Sequence, residues 1–138
     1  MAIIDMRTMR YINLLDKITH VKTSKCFVHN GSIFFAVDKR DVSRAIGPSA
    51  MNVRKMQEKT GKKVRIIEQA DGIGNVKSFI EDIIAPVRIK AVEVKDNSVM
   101  ITAGSSQTKA SLIGRNRKRE EELKQIIQDF FNLDMKII

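Results

Sequence analysis

The sequence predicts an α+β fold in which one element order, α-β-β-α-α-β, occurs twice. Three observations predict it. Apolar residues recur at helical spacing in Met6–Ile18 and Val76–Ile84, each followed by two strand-like runs around a tight turn. A short helix, a glycine loop and a longer helix then follow in each half, and each half closes on a strand. Leu112-Ile113-Gly114 repeats Ala45-Ile46-Gly47 at an offset of 67, so the chain is an internal repeat.

In the first half, Met6, Met9, Ile12 and Leu15, widened by Leu14 and Ile18, predict an amphipathic helix that ends in polar His20–Lys25. Cys26–His29 and Ser32–Val37 flank Asn30-Gly31, the strongest short-range hairpin signal, because both residues tolerate positive φ. Val42, Ala45 and Ile46 open a short helix. After the loop Ile46–Ala50, Val53 and Met56 carry a longer helix to Gly61, where a left-handed C′ glycine stops it. Lys63–Glu68 alternates as a half-buried strand.

Ala70-Asp71-Gly72-Ile73-Gly74 is a turn-rich joint and the expected boundary between domains 1–70 and 71–138. Its Gly-x-Gly lacks the third glycine and the strand–helix setting of a dinucleotide site. In the second half Asn75 is expected to cap a helix carrying Val76, Phe79, Ile80, Ile83 and Ile84, and Pro86 to end it. Val87–Val94 and Val99–Ala103 are the next strands, around Asp96-Asn97. Thr108–Ile113, the loop Gly114–Arg117, the helix Lys118–Asn132 and the strand Met135–Ile138 complete the copy. Leu123, Ile126, Ile127, Phe130 and Phe131 form the apolar face of its long helix. Asn132 answers Gly61 as the stop, one turn later.

The 138 residues are 43% apolar and 30% charged, the balance of a globular chain. Net charge is +9, unevenly placed. Residues 1–70 hold 14 Lys and Arg against 6 Asp and Glu, whereas 71–138 hold 11 against 10. A basic half of this kind suits a polyanion such as nucleic acid. Cys26 is the single cysteine, which removes disulfide frameworks and cysteine metal sites; a buried strand position is expected for it. No apolar run is long enough to span a membrane, and Asp5, Arg7 and Arg10 interrupt any leader-like apolar start, so no membrane partner and a cytoplasmic setting are expected.

Helix–glycine loop–helix beside Arg44, Arg54, Lys55, Lys59, Lys62 and Lys63 is a phosphate-handling pattern. Absent side chains let a sugar–phosphate chain near the backbone, and the second helix aims free N–H groups at the loop. A plain helical hairpin with a solvated basic face fits that segment equally well. Its recurrence in the second copy favours phosphate handling.

Two such units, each with Ile-Gly-x-x leading into a basic helix, resemble tandem type II KH domains, with a three-stranded sheet packed on helices. AIGPSAMNVRKMQEKTGKKVRIIE is similar to the KH repeats of NusA transcription factors, and two units in one chain of this length resemble the archaeal NusA-like proteins. The resemblance implies single-stranded RNA as ligand and a role in transcription termination, antitermination or elongation on nascent RNA. It places RNA at Ile46, Gly47, Pro48, Ser49 and Ala50 with Arg44, Arg54 and Lys55, and at Ile113, Gly114, Arg115, Asn116 and Arg117 with Lys118 and Arg119. RNA polymerase enters as a partner by family resemblance alone: the chain is expected to lack the polymerase-binding and OB-type domains of bacterial NusA.

The family loop is Gly-x-x-Gly, whereas Ala50 and Arg117 hold the fourth positions here; Arg117 requires a negative φ, and Pro48 removes one N–H donor. A ribosome-associated or assembly factor is the alternative within the RNA class. The other is a protein-interaction scaffold with degenerate loops, favoured in the second copy by Glu120-Glu121-Glu122. An enzyme is not expected: His20 and His29 pair with no carboxylate at ligand or triad spacing, His29 is expected at the surface, and no phosphate-binding P-loop motif or other cofactor signature is present.

Overall fold

The computed structural model describes residues 5–70 and 72–138, the side chain of residue 73 excepted; of the joint at residues 70–74, residue 71 therefore lies outside the described residues. Two compact units divide the chain, one ending at Gln69 and the other opening at Ala70. Each is an α-β-β-α-α-β unit.

The first unit runs α1 (Met6–Thr19), β1 (Lys25–His29), β2 (Ser32–Val37), α2 (Val42–Ile46), α3 (Met51–Thr60) and β3 (Lys63–Glu68). Its sheet has the order β1-β2-β3, with β1 antiparallel and β3 parallel to the central β2. Asn30 and Gly31 both take positive φ in the hairpin turn, which sets His29 opposite Ser32. Being central, β2 is apolar throughout Ile33–Val37, and all five residues are buried. Leu15, Ala45 and Met56 from the three helices pack with Ile33, Phe35, Val37 and Val64 in one core.

Helix α1 starts where it does because the Asp5 carboxylate accepts from the Thr8 N–H at 2.8 Å, while the Thr8 hydroxyl takes up the Asp5 N–H. Of the expected stripe, Leu15 is buried together with Thr8 and Thr19, and Ile12, Leu14 and Ile18 pack partly buried against the core; Met6 and Met9 fall outside it. Met6 and Met9 are exposed, 75% and 51%. Steps of three residues each fall about 60° short of a turn, so by Met6 the run has drifted to the side opposite Leu15. His29 is also a correction: it is 6% exposed, with its ring edge-on to Phe34, because the face of the sheet it shares with Phe27 and Phe34 is itself buried.

The second unit runs α4 (Val76–Ile84), β4 (Ala91–Lys95), β5 (Ser98–Thr102), α5 (Ser106–Ile113), α6 (Lys118–Phe131) and β6 (Asp134–Ile137), with sheet order β4-β5-β6 and the same mixed pairing. All five expected apolar residues of α4 are buried, and Phe79 meets Phe130 and Phe131 edge-on. The two phenylalanines of α6 are only half-buried, unlike Leu123, Ile126 and Ile127.

In the second unit one helix cap differs from expectation, and two elements start more than one residue away from it. Asn75 occupies the position before α4, but its side chain makes no cap hydrogen bond. β4 begins at Ala91 and not Val87, since its partner β5 ends opposite it at Thr102; the Val87 N–H instead closes a turn on Ile84. α5 begins at Ser106, two residues early, because the Ser105 hydroxyl caps the Thr108 N–H at 3.1 Å. Among the described residues no helix is long and apolar enough to cross a membrane.

Candidate nucleic-acid interface

The backbone follows the same path through both loops. Gly47 sits at φ 80°, ψ 169° and Gly114 at φ 73°, ψ 177°, a region open essentially to glycine alone. Ser49 (52°, 33°) and Ala50 (59°, 28°) are then left-handed, as are Asn116 (56°, 27°) and Arg117 (61°, 20°). Each path re-enters a right-handed helix at Met51 or Lys118. The expectation that Arg117 needs a negative φ is therefore corrected. Both fourth positions are left-handed without glycine, a conformation that costs L-residues about 1–2 kcal/mol each.

The glycines make room for this chain's own side chains. A Cβ on Gly47 would stand 2.7 Å from Asn52 Nδ2, and one on Gly114 would stand 2.7 Å from Arg119 Cγ. Asn52 and Arg119 are themselves 67 residues apart. Asn52 Nδ2 donates to the Arg44 carbonyl at 3.1 Å, and Arg119 Nη1 donates to the Ser111 carbonyl at 3.2 Å. In both copies the residue five past the glycine thus reaches the carbonyl three before it. Asn52 is the residue that sequence reading missed; its alignment with Arg119 at the repeat offset was the available signal.

The basic residues divide by what already holds them. Arg44 pairs with Asp41 at 2.9 Å, Arg54 donates to the loop carbonyl of Ser49 at 2.7 Å, and Arg117 pairs with Glu120 at 2.8 Å. The Glu120 hydrogen bond, then its charge, raises the Arg117 guanidinium above its ordinary pKa. Lys55, Arg115 and Lys118 are exposed and form no ion pair among the described residues. Pro48, Ser49, Arg115 and Asn116 form the exposed loop tips, and Ile46 and Ile113 stand half-buried just before the glycines. Each unit therefore offers a glycine loop, an apolar residue at its base and cations on the helix after it. That arrangement can hold a sugar–phosphate backbone at the loop.

Other chemistry is thinly represented. Cys26 is buried, and burial pushes its thiol up to about 12. Among the described residues no cluster of three or more His, Cys, Asp or Glu could hold a metal ion.

No protein-family model matches the chain. It is similar to the probable transcription termination protein NusA of Methanocaldococcus jannaschii, 38% identical over 84 residues, covering 61% of this chain and 44% of that protein. The protein of that name from Methanococcus vannielii is 33% identical over 84 residues, covering 61% and 47%. Its counterpart from Halococcus morrhuae is 24% identical over 128 residues, covering 91% and 90%. The matched stretch thus spans about half the length of the first two relatives. The crystal structure of APE1850 has the same fold, with a TM-score of 0.66 over 98% of this chain and 99% of that one, at 22% identity. The three relatives, all named as probable NusA of archaea, support an archaeal NusA-like protein, and the fold of this chain is consistent with tandem KH-type domains.

Proposed function

We propose that the chain binds single-stranded RNA through its two glycine loops and acts on nascent transcripts, in termination, antitermination or elongation. One observation carries this reading: the same Gly-only turn, followed by two left-handed residues and a cationic helix start, is built twice from different side chains. Phosphates pass the loop tips at Pro48–Ser49 and Arg115–Asn116, with Lys55, Lys118, Arg44, Arg54 and Arg117 beside them. Bases lie in the groove between each loop and its sheet, against Ile46 or Ile113. The transcriptional setting is supported by the names of the three relatives, and contact with RNA polymerase rests on that resemblance alone.

Titration of labelled single-stranded and duplex RNA against salt tests the reading. Binding should favour the single strand, with log K falling by about 0.7 per phosphate contact for each decade of salt. Equal affinity for duplex and single strand would leave only a nonspecific basic surface. Crosslinking in cells, followed by sequencing, separates nascent transcripts from ribosomal RNA.

A second reading, a protein-interaction scaffold, draws on a specific observation: Arg44, Arg54, Arg117 and Arg119 all have acceptors within the chain already. It predicts that altering both loop tips leaves RNA binding unchanged.

A further inference from the structure

We infer that Asn52 and Arg119 are positioning residues of the two loops, each holding its loop in shape from above the glycine, with Arg119 serving by its reach and not as a phosphate ligand. The inference deepens the RNA-binding reading and rests on it for the binding arm of its test.

The need arises at the end of the short helix. A helix leaves its last carbonyls without intrahelical partners. The Arg44 carbonyl would be served by the N–H four residues on, but that residue is Pro48, which has none. In the second copy the chain swings away at Gly114 (φ 73°, ψ 177°) after the Gly114 N–H has bonded Ala110. A donor must therefore come from elsewhere, and in both copies it comes from the first turn of the following helix.

The route of that donor runs over the glycine. The space a Cβ would fill at Gly47 holds the Asn52 amide, and at Gly114 it holds the Arg119 stem. The side chain thus ties the end of one helix to the start of the next, across the turn whose tip meets the RNA. Two chemically different side chains, one neutral and one cationic, make the same bond to the same position. What they share is an N–H donor of sufficient reach. Charge is not common to them, so charge is not what the position requires.

The first copy supplies the decisive substitution. Asn52 spans this gap on a matching backbone, so Arg119→Asn should keep the bond while losing the charge, whereas Arg119→Ala loses both. The measurements are single-stranded RNA affinity as a function of salt, the backbone amide signals of Gly114 and Asn116 by NMR, and thermal melting. We expect Arg119→Ala to weaken binding by about tenfold, with an unchanged salt slope and shifted loop amides. Arg119→Asn should stay within about twofold of the parent, with parental loop amides. Asn52→Asp, which keeps the shape but turns an acceptor toward the Arg44 carbonyl, should shift the Gly47 and Ser49 amides.

If Arg119→Asn binds as weakly as Arg119→Ala and the salt slope drops by about 0.7, Arg119 is a phosphate ligand and the inference fails. It also fails if Arg119→Ala leaves both binding and loop amides unchanged. Should Arg119→Ala not fold, Arg119→Asn still decides by its slope and amides. If the parent chain binds no RNA at all, the RNA-binding reading falls, and the loop amides alone judge whether these residues set the loop.

Discussion

The Arg117 guanidinium donates to the Glu120 carboxylate at 2.8 Å, three residues on in the first turn of α6. The pair ties the left-handed fourth residue of the second loop to an acidic helix start, which the helix dipole favours. The position aligned with Glu120 in the first copy is Val53, which offers no such carboxylate. The two loops share a backbone but not an electrostatic surrounding. Glu120→Gln should release Arg117 toward solvent. In a background with the first loop disabled, single-stranded RNA binding should then strengthen by a few-fold and the salt slope should steepen by about 0.7. Fluorescence anisotropy at several salt concentrations reads both, and an unaltered slope would show that Arg117 stays away from phosphate.

The loop tips themselves can be made repulsive without touching a buried side chain, since Pro48, Ser49, Arg115 and Asn116 are all exposed. Pro48→Asp with Ser49→Asp puts two anions where phosphate should pass. Binding should fall at least about tenfold with the fold intact, because removing a charge-assisted hydrogen bond costs on the order of 1–3 kcal/mol. Arg115→Asp with Asn116→Asp should cost less, because the first unit carries the basic surplus. Circular dichroism confirms the fold. Silence in both double variants would favour the scaffold reading.

The loop backbone favours glycine at both its first and its fourth position, and only the first has it. Ala50→Gly relieves a left-handed alanine, a strain of about 1–2 kcal/mol, against about 0.5–1 kcal/mol of added chain entropy. A net stabilisation of about 0.5–1 kcal/mol should appear in denaturant melts. Gly47→Ala adds a Cβ both in a Gly-only region and 2.7 Å from Asn52. It should destabilise by more than about 2 kcal/mol.

Cys26 reports on the core of the first unit. Its thiol is raised from 9.0 to about 12, chiefly by burial. A folded-state pKa above the unfolded one means that the buried neutral thiol's contribution is complete below about pH 9 and is lost as pH rises toward 12. Stability should therefore decline over that alkaline window, and Cys26→Ala should remove that part of the decline. Iodoacetamide should label the native protein only as fast as it opens; rapid labelling of folded protein would contradict the burial.

Much of this protein is local in origin, and that part was legible in the sequence. Period 3.6 in Val76–Ile84, Asn30-Gly31 between two apolar runs, and left-handed stops at Gly61 and Asn132 each depend on residues a few positions apart. The 67-residue repeat joined them into two equal units before any packing was known. What depended on neighbours distant in the chain was decided only by the tertiary structure. Which side of α1 faces inward was set by Leu15, with Ile12 and Ile18, meeting the core, so Met6 and Met9 lie outside it. His29 is buried because its sheet face is covered, a fact that no hairpin signal contains. The role of the glycines is of the same kind. Their presence was plain in the sequence, but Asn52 and Arg119 occupy the space above them only once two helices have turned back on each other. A donor eight residues from its acceptor has no periodic signature, and it is placed by the angle at which those helices meet.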